Sequence, residues 1–347
     1  MRSAAALPLF MAWLVGQPAS AESGLEIVLA LPSGAQHLAV AEDIRAGARQ
    51  ALASLADTVP SLAASIVLRE VEAGCGRSEA IAAARSIAAT SPALVVGHPC
   101  AQGAVAAAPI YAQSAVLLMA IAVRHPALSQ AGHAPYVYRV AGRDDRQGGE
   151  AGDHLARTVA GGGATIVHDR TAGARMLAEA AAHAFERSTG RAPAVIGIVT
   201  GGKEYGEVIR QVTSTDTGAV LFTGYPVEGS IVLRGLRGAG WRGRFLLVDA
   251  MATNEFIDLA GADGEGAVAL APGEALSPRA AAAAAIEAWG LVVAGLESQD
   301  KGAIRSRLTA GVETRAGGRI AFDELGDLAR PSYTTRQLIQ GKWVQAP

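Results

Sequence analysis

Cysteine is scarce in this chain of 347 residues: Cys75 and Cys100 are the only two. Lysine is nearly missing as well, 3 against 27 arginines, and no block of basic residues interrupts a chain of formal net charge −2. Without a basic run there is nothing to grip a phosphate backbone or an anionic membrane, so no nucleic acid or membrane surface is expected as a partner. The arginine excess, beside so much alanine and glycine, reads as the coding habit of a GC-rich genome before it reads as arginine chemistry. Nucleotide and hydrolase signatures are absent too. Gly161-Gly162-Gly163 lacks the Gly-Lys-Ser/Thr ending of a phosphate loop, and no Gly-x-Ser-x-Gly elbow occurs. The seven histidines are scattered, and His168-Asp169, the most tempting pair, has no third ligand or nucleophile placed with it. No metal, cofactor or catalytic residue is assigned, and the chain is not read as an enzyme.

Long apolar runs are also lacking. The stretch from Ala4 to Val15 falls short of the roughly 20 residues that span a bilayer. It follows Arg2 and precedes Ala19-Ser20-Ala21, the small-x-small pattern of a signal-peptidase site, so residues 1–21 read as a signal peptide cut after Ala21. No cysteine follows the cut to carry a lipid anchor. The alanine run 280–285 is flanked by Pro, Arg, Glu and Gly, which suits a buried or amphipathic soluble helix. In an oxidising compartment the two cysteines read as a structural bridge, with a free buried pair as the alternative. Closing that loop would stabilise the fold by about 3.5 kcal/mol in the chain-entropy account.

What is present is a regular alternation. Leu25–Leu31, 65–69, 93–97, 116–120 and 136–140 read as strands, with helices over 39–55, 78–89 and 101–113. A second series opens with a helix over 146–159 and continues with strands at 165–168, 195–199, 219–222 and 245–248. Parallel strands need crossovers, and crossovers cover both faces of a sheet, so the expected class is α/β with two doubly wound parallel-sheet lobes. Ligands in such sheets sit beyond the carboxyl ends of the strands. The loops there are 32–37, 98–104, 121–125, 170–174, 225–228 and 249–253, six that can line one cleft.

Several motifs in order carry a family resemblance. The segment from Cys75 to Cys100, closing on Val-Val-Gly-His-Pro-Cys, resembles the disulfide loop of the leucine/isoleucine/valine-binding proteins, the periplasmic receptors of branched-chain amino-acid ABC importers. HPALSQAG (125–132), YRVAGRDDRQG (138–148), IVHD (166–169), GIVTGGKEY (197–205), AVLFTGY through FLLVDA (219–250), AGADGEG (260–266) and IAFDELGD (320–327) continue the match over nearly the whole mature chain. The resemblance implies a type I periplasmic binding fold, two lobes joined by a three-strand hinge. One lobe is expected over 22–140 plus 272–328 and the other over 141–271 plus 329–347. It further implies a monomeric periplasmic receptor that captures a small-molecule ligand, amino-acid-like or a carboxylate, and hands it to an ABC permease of the inner membrane. The alternative is a sensor of the same fold that signals to a regulatory or membrane partner.

Transferring the family's ligand-facing positions gives Ala101, Gln102, Gly103, Val123, Arg124, Gly173, Tyr225 and Asp249. The resemblance leads one to expect hydroxyls where Ala101 and Arg124 stand, and a tyrosine where Gly173 stands. Arg124 offers a forked permanent cation suited to a carboxylate, and the backbone N–H groups of Gln102 and Gly103 open a helix. Equally, Arg124 could turn to solvent or pair with Asp249 across the cleft, leaving a site for something neutral. Either way, leucine, isoleucine and valine are expected to bind weakly, because two hydroxyl partners are lost and a bulky cation takes their place.

Overall fold

The computed structural model describes residues 24–130, 133, 136–273, 277–298, 300–331 and 333–346. The expected signal peptide therefore lies outside the described residues. The first series of apolar runs forms β1 (Leu25–Leu31), β2 (Ile66–Glu72), β3 (Leu94–Gly97), β4 (Leu118–Ile121) and β5 (Val137–Val140). They pair in parallel in the order β2-β1-β3-β4-β5. The crossovers are α1 (Leu38–Thr58), the short α2 (Pro60–Ser65), α3 (Arg77–Ala88), α4 (Ala101–Gln113) and the single turn α5 (Ala127–Gln130). β3, β4 and β5 are buried along their whole length, as expected of strands covered on both faces.

After β5 the chain crosses to a second sheet. It runs through α6 (Asp144–Val159), β6 (Gly163–His168), α7 (Ala172–Thr189), β7 (Ala194–Gly197), α8 (Gly206–Thr213), β8 (Thr217–Thr223), α9 (Pro226–Gly238), β9 (Arg244–Val248), α10 (Asn254–Ala260) and β10 (Val268–Pro272). It then returns to the first lobe for α11 (Pro278–Ala294), α12 (Lys301–Ala310) and the hairpin of β11 (Val312–Thr314) and β12 (Gly318–Ile320). A third passage delivers β13 (Tyr333–Ile339) and β14 (Lys342–Gln345) to the second sheet, whose order is β14-β13-β10-β9-β8-β6-β7. The expectation of two purely parallel sheets needs correction here. β13 runs antiparallel to β10, and β14 folds back antiparallel on β13, because two residues join that pair and only an antiparallel pair can be closed so tightly. Both turn residues, Gln340 at φ 50° and Gly341 at φ 72°, take the left-handed conformation of such hairpins.

The alanine run lies in α11, where Ala281 to Ala285 are buried against α1 and the first sheet. Small side chains let the two helices approach closely, and a side chain at Gly47 would collide with the Arg279 carbonyl. One acid interrupts that apolar face. Glu287, 2% exposed, accepts from Ser54 Oγ at 2.7 Å and from the backbone N–H groups of Arg315 and Ala316 at 3.0 and 3.3 Å. Its burial is thus compensated, and it ties the β11–β12 turn to the helix. None of the described helices is long and apolar enough to cross a membrane. Cys75 and Cys100 form a disulfide, their Cα atoms 5.2 Å apart, which fastens the loop before α3 to the N-terminus of α4.

Candidate functional site

Arg124 is placed by its neighbours' carbonyls. Ala122 at φ 65° turns the chain out of β4, and the buried Arg139 Nη1 donates at 2.8 Å to both Val123 O and His125 O. The Arg124 carbonyl itself accepts from Asp144 N at 3.0 Å. With three successive carbonyls held, the side chain between them has a fixed origin. Arg139 is anchored in turn by Asp327 Oδ1 at 2.7 Å and Ser129 Oγ at 2.9 Å.

From the first lobe the Arg124 guanidinium reaches across to the second. Its Nη1 donates to Asp249 Oδ2, at the end of β9, and its Nη2 donates to Gln147 Oε1 on α6. Its Nε lies 2.9 Å from Asp144 Oδ1, an ion-pair contact without the alignment of a hydrogen bond. Gln147, fully buried, also donates to Asp249 Oδ1 at 2.9 Å and to Leu270 O at 3.0 Å. Burial works against the Arg124 charge, but Asp249 and Asp144 outweigh it and hold the guanidinium above its ordinary pKa. Burial pushes the Asp144 carboxyl up, against the pull of Arg124.

Arg124, Asp144 and Asp249 line a cavity of about 230 Å³, together with Thr171, Gly173, Ala174, Leu177, Gly224, Tyr225, Val248 and Ala250, with Gln147 behind them. Its second-lobe wall is built locally. Asp169 Oδ1, just beyond β6, accepts from Thr171 N at 3.0 Å and Thr171 Oγ1 at 2.7 Å, which sets the threonine as the N-cap of α7. Gly224 lets the chain pass close to that acid, since a β-carbon there would stand 2.7 Å from Asp169 Oδ2. Tyr225 caps α9 at the lip, 55% exposed.

Of the residues singled out in the sequence, Arg124, Gly173, Tyr225 and Asp249 come together around this cavity, whereas Ala101, Gln102, Gly103 and Val123 do not line it. Ala101 and Gln102 open α4 beside the disulfide, and Gly103 is packed under α3, with Ala80 Cβ 3.2 Å from where its own β-carbon would be. Val123 is fully buried in the first lobe. Of the six loops expected to converge, four line this cavity, and 98–104 and 32–37 lie outside it. The sequence reading missed Asp144, Gln147, Thr171, Leu177 and Val248. Asp144 and Gln147 both stand in YRVAGRDDRQG, the one available signal. His168 is a strand-end histidine whose Nδ1 accepts from Arg170 N at 3.2 Å. Among the described residues, the one grouping of three metal-type donors is His37, Cys75 and Cys100, and its two sulfurs are spent in the disulfide.

No family model matches the chain. Over 226 residues it is 26% identical to the leucine-specific-binding protein of Salmonella typhimurium, an alignment covering 65% of this chain and 61% of that protein. The chain thus spans less than two thirds of the length of that curated relative. Among solved structures, a Rhodospirillum rubrum protein provisionally described as a branched-chain amino acid ABC transporter superposes with a TM-score of 0.80 at 18% identity, covering 93% of this chain and 100% of that one. A solute-binding protein of an ABC transporter from R. palustris, in complex with benzoate, superposes with a TM-score of 0.66 at 15% identity, over 93% and 95% of the two chains. The architecture expected from the sequence, two doubly wound lobes of the type I periplasmic binding fold, is the one observed.

Proposed function

We propose, from the premise that the chain has the type I periplasmic binding fold and is related to the leucine/isoleucine/valine-binding proteins, that it is a periplasmic solute receptor of an ABC importer. Its lobes, with boundaries at 140/141, 271/272 and 328/329, close on a small organic ligand and present it to an inner-membrane permease; it performs no chemistry. The observation that carries this reading is the meeting of Arg124 and Asp249, one from each lobe, in the wall of a single cavity. Side chains rooted in different lobes share a cavity wall only when the lobes approach, so occupancy and closure are coupled there. A cavity of about 230 Å³ has room for about eight water-sized groups. Leu177, Ala174 and Val248 supply an apolar wall and the charged trio a polar one, which fits an amphiphilic, amino-acid-like molecule.

The test is native mass spectrometry of the mature protein purified from the periplasm, followed by a thermal-shift screen against amino acids, amines, amides and organic acids. A small molecule that co-purifies and raises Tm is expected, because a ligand that binds only the folded state stabilises it by mass action. Protein free of ligand, with a Tm that no member of the screen moves, would count against a receptor role.

A further inference from the structure

The charges of the cavity wall do not balance. The charged side chains lining it are Arg124, Asp144 and Asp249, one cation against two carboxylates. Asp249 is committed on both oxygens, Oδ2 to Arg124 and Oδ1 to Gln147. Arg124 donates from Nη1 and Nη2, and its Nε stands in ion-pair contact with Asp144. Asp144 differs. Its only charged contact is Oδ1 against Arg124 Nε, and among the described residues no hydrogen bond reaches Oδ2. Its side chain is 23% exposed and lines the cavity, and Oδ2 is not among the unpartnered polar atoms sealed in the core. A carboxylate largely removed from water with one unpartnered oxygen is a demand for a charged donor.

We propose that Asp144 sets the chemical class of the ligand: a small monocation whose protonated amine donates to Asp144, with no free carboxylate. This rests on the receptor reading above and adds ligand charge to it. A ligand carboxylate would find Arg124 already spent on two acids and would add a third negative charge to the same wall. A zwitterion would satisfy Asp144 but bring that extra charge with it. An amine or amino-amide cation leaves the wall neutral, and the apolar wall of Leu177, Ala174 and Val248 receives its hydrocarbon.

Matched triads test the assignment without knowledge of the natural ligand. Leucinamide, leucine and 4-methylpentanoate share one hydrocarbon, and alaninamide, alanine and propanoate, and phenylalaninamide, phenylalanine and 3-phenylpropanoate, repeat the series at other sizes. Calorimetry should find the amide cation bound at least about tenfold more tightly than its amino acid in the triad that fits best, with the acid weaker still. Asp144→Asn should cost the cation at least about tenfold and erase the ranking, whereas Asp144→Glu, which keeps the charge, should preserve it. Should Asp144→Asn fail to fold by circular dichroism, the wild-type ranking and the Asp144→Glu ranking decide. The assignment is overturned if an acid or an amino acid ranks first, if the ranking survives Asp144→Asn, or if no member of any triad binds. Tight binding of an acid would leave the receptor reading standing, and the co-purified ligand judges that reading separately.

Discussion

Arg139 and Asp327 stand 188 positions apart and meet at 2.7 Å with both side chains sealed from solvent. Asp327 also accepts from Ser129 Oγ at 2.9 Å and from Arg143 Nη1, at the start of the second lobe, at 2.7 Å. One carboxylate therefore fixes the Arg139 clamp behind Arg124 and the first passage between the lobes.

Replacing Asp327 with alanine should destabilise the protein by about 3–5 kcal/mol, because it leaves a buried guanidinium without its counter-charge. Urea unfolding measures this, and a loss under about 1 kcal/mol would place the network among dispensable ion pairs. Burial pushes the Asp327 carboxyl up, but the hydrogen bonds from Arg143, Arg139 and Ser129 outweigh it and hold it below its ordinary value. As pH falls the unfolded chain takes up this proton first. The contribution is therefore complete above the ordinary carboxyl pKa of about 3.9 and is lost as pH drops through the lower folded value.

His98 should supply an acid-sensitive step at higher pH. Burial pushes its imidazole down to about 4, with Nε2 2.8 Å from Tyr111 Oη and Nδ1 unpartnered. Between that value and its ordinary pKa of about 6.5 the unfolded chain binds a proton that the folded chain refuses, so stability falls as pH is lowered through this window. NMR titration should find the ring neutral at pH 5. His98→Asn, which accepts the residue's φ of 47°, should flatten the pH dependence of the urea midpoint between pH 7 and 4.

Thiol counting on denatured, unreduced periplasmic protein should find none. Cys75→Ala with Cys100→Ala should cost about 3.5 kcal/mol, the loop-closure term for a separation of 25 residues. Two free thiols would remove the bridge from the account of the fold.

Arg124→Ala should loosen the ligand-free lobes, since the guanidinium bridges Asp249 and Gln147 on the second lobe from an origin on the first. Small-angle scattering should report a larger radius of gyration than wild type. A double-mutant cycle with Asp249→Ala should return a coupling of roughly 0.5–3 kcal/mol. Unchanged scattering and zero coupling would make the contact incidental to closure.

Most of the parallel framework was legible because strands buried on both faces read as short apolar runs, as β3 and β4 do. β13 and β14 were not, since their partly exposed, polar pattern carries no apolar signal; Gln340-Gly341 was the available cue. Arg124 and Asp249 were found through their positions in family motifs. Asp144 stood in such a motif too, yet nothing in its spacing says that the first residue of α6 turns one oxygen toward a cavity. Gln147 was hidden for a related reason: a glutamine within a helix gives no sign that it will bond an acid beyond β9, a carbonyl inside β10 and an arginine at once.

The burial of α11 against α1 has a consequence for how the chain comes to be folded. Helix 38–58 finds its main helical partner in helix 278–294, and β5 finds the Asp327 that anchors its arginine later still. The first lobe is thus begun early in synthesis and finished almost last, after the whole second lobe has been made. Until then the face of its earliest helix that α11 packs on, marked by Gly47 and Leu55, stands uncovered. A chain of this topology is committed to slow completion through contacts of high sequence separation, and for most of its synthesis it must be kept from associating through the face that α11 will occupy.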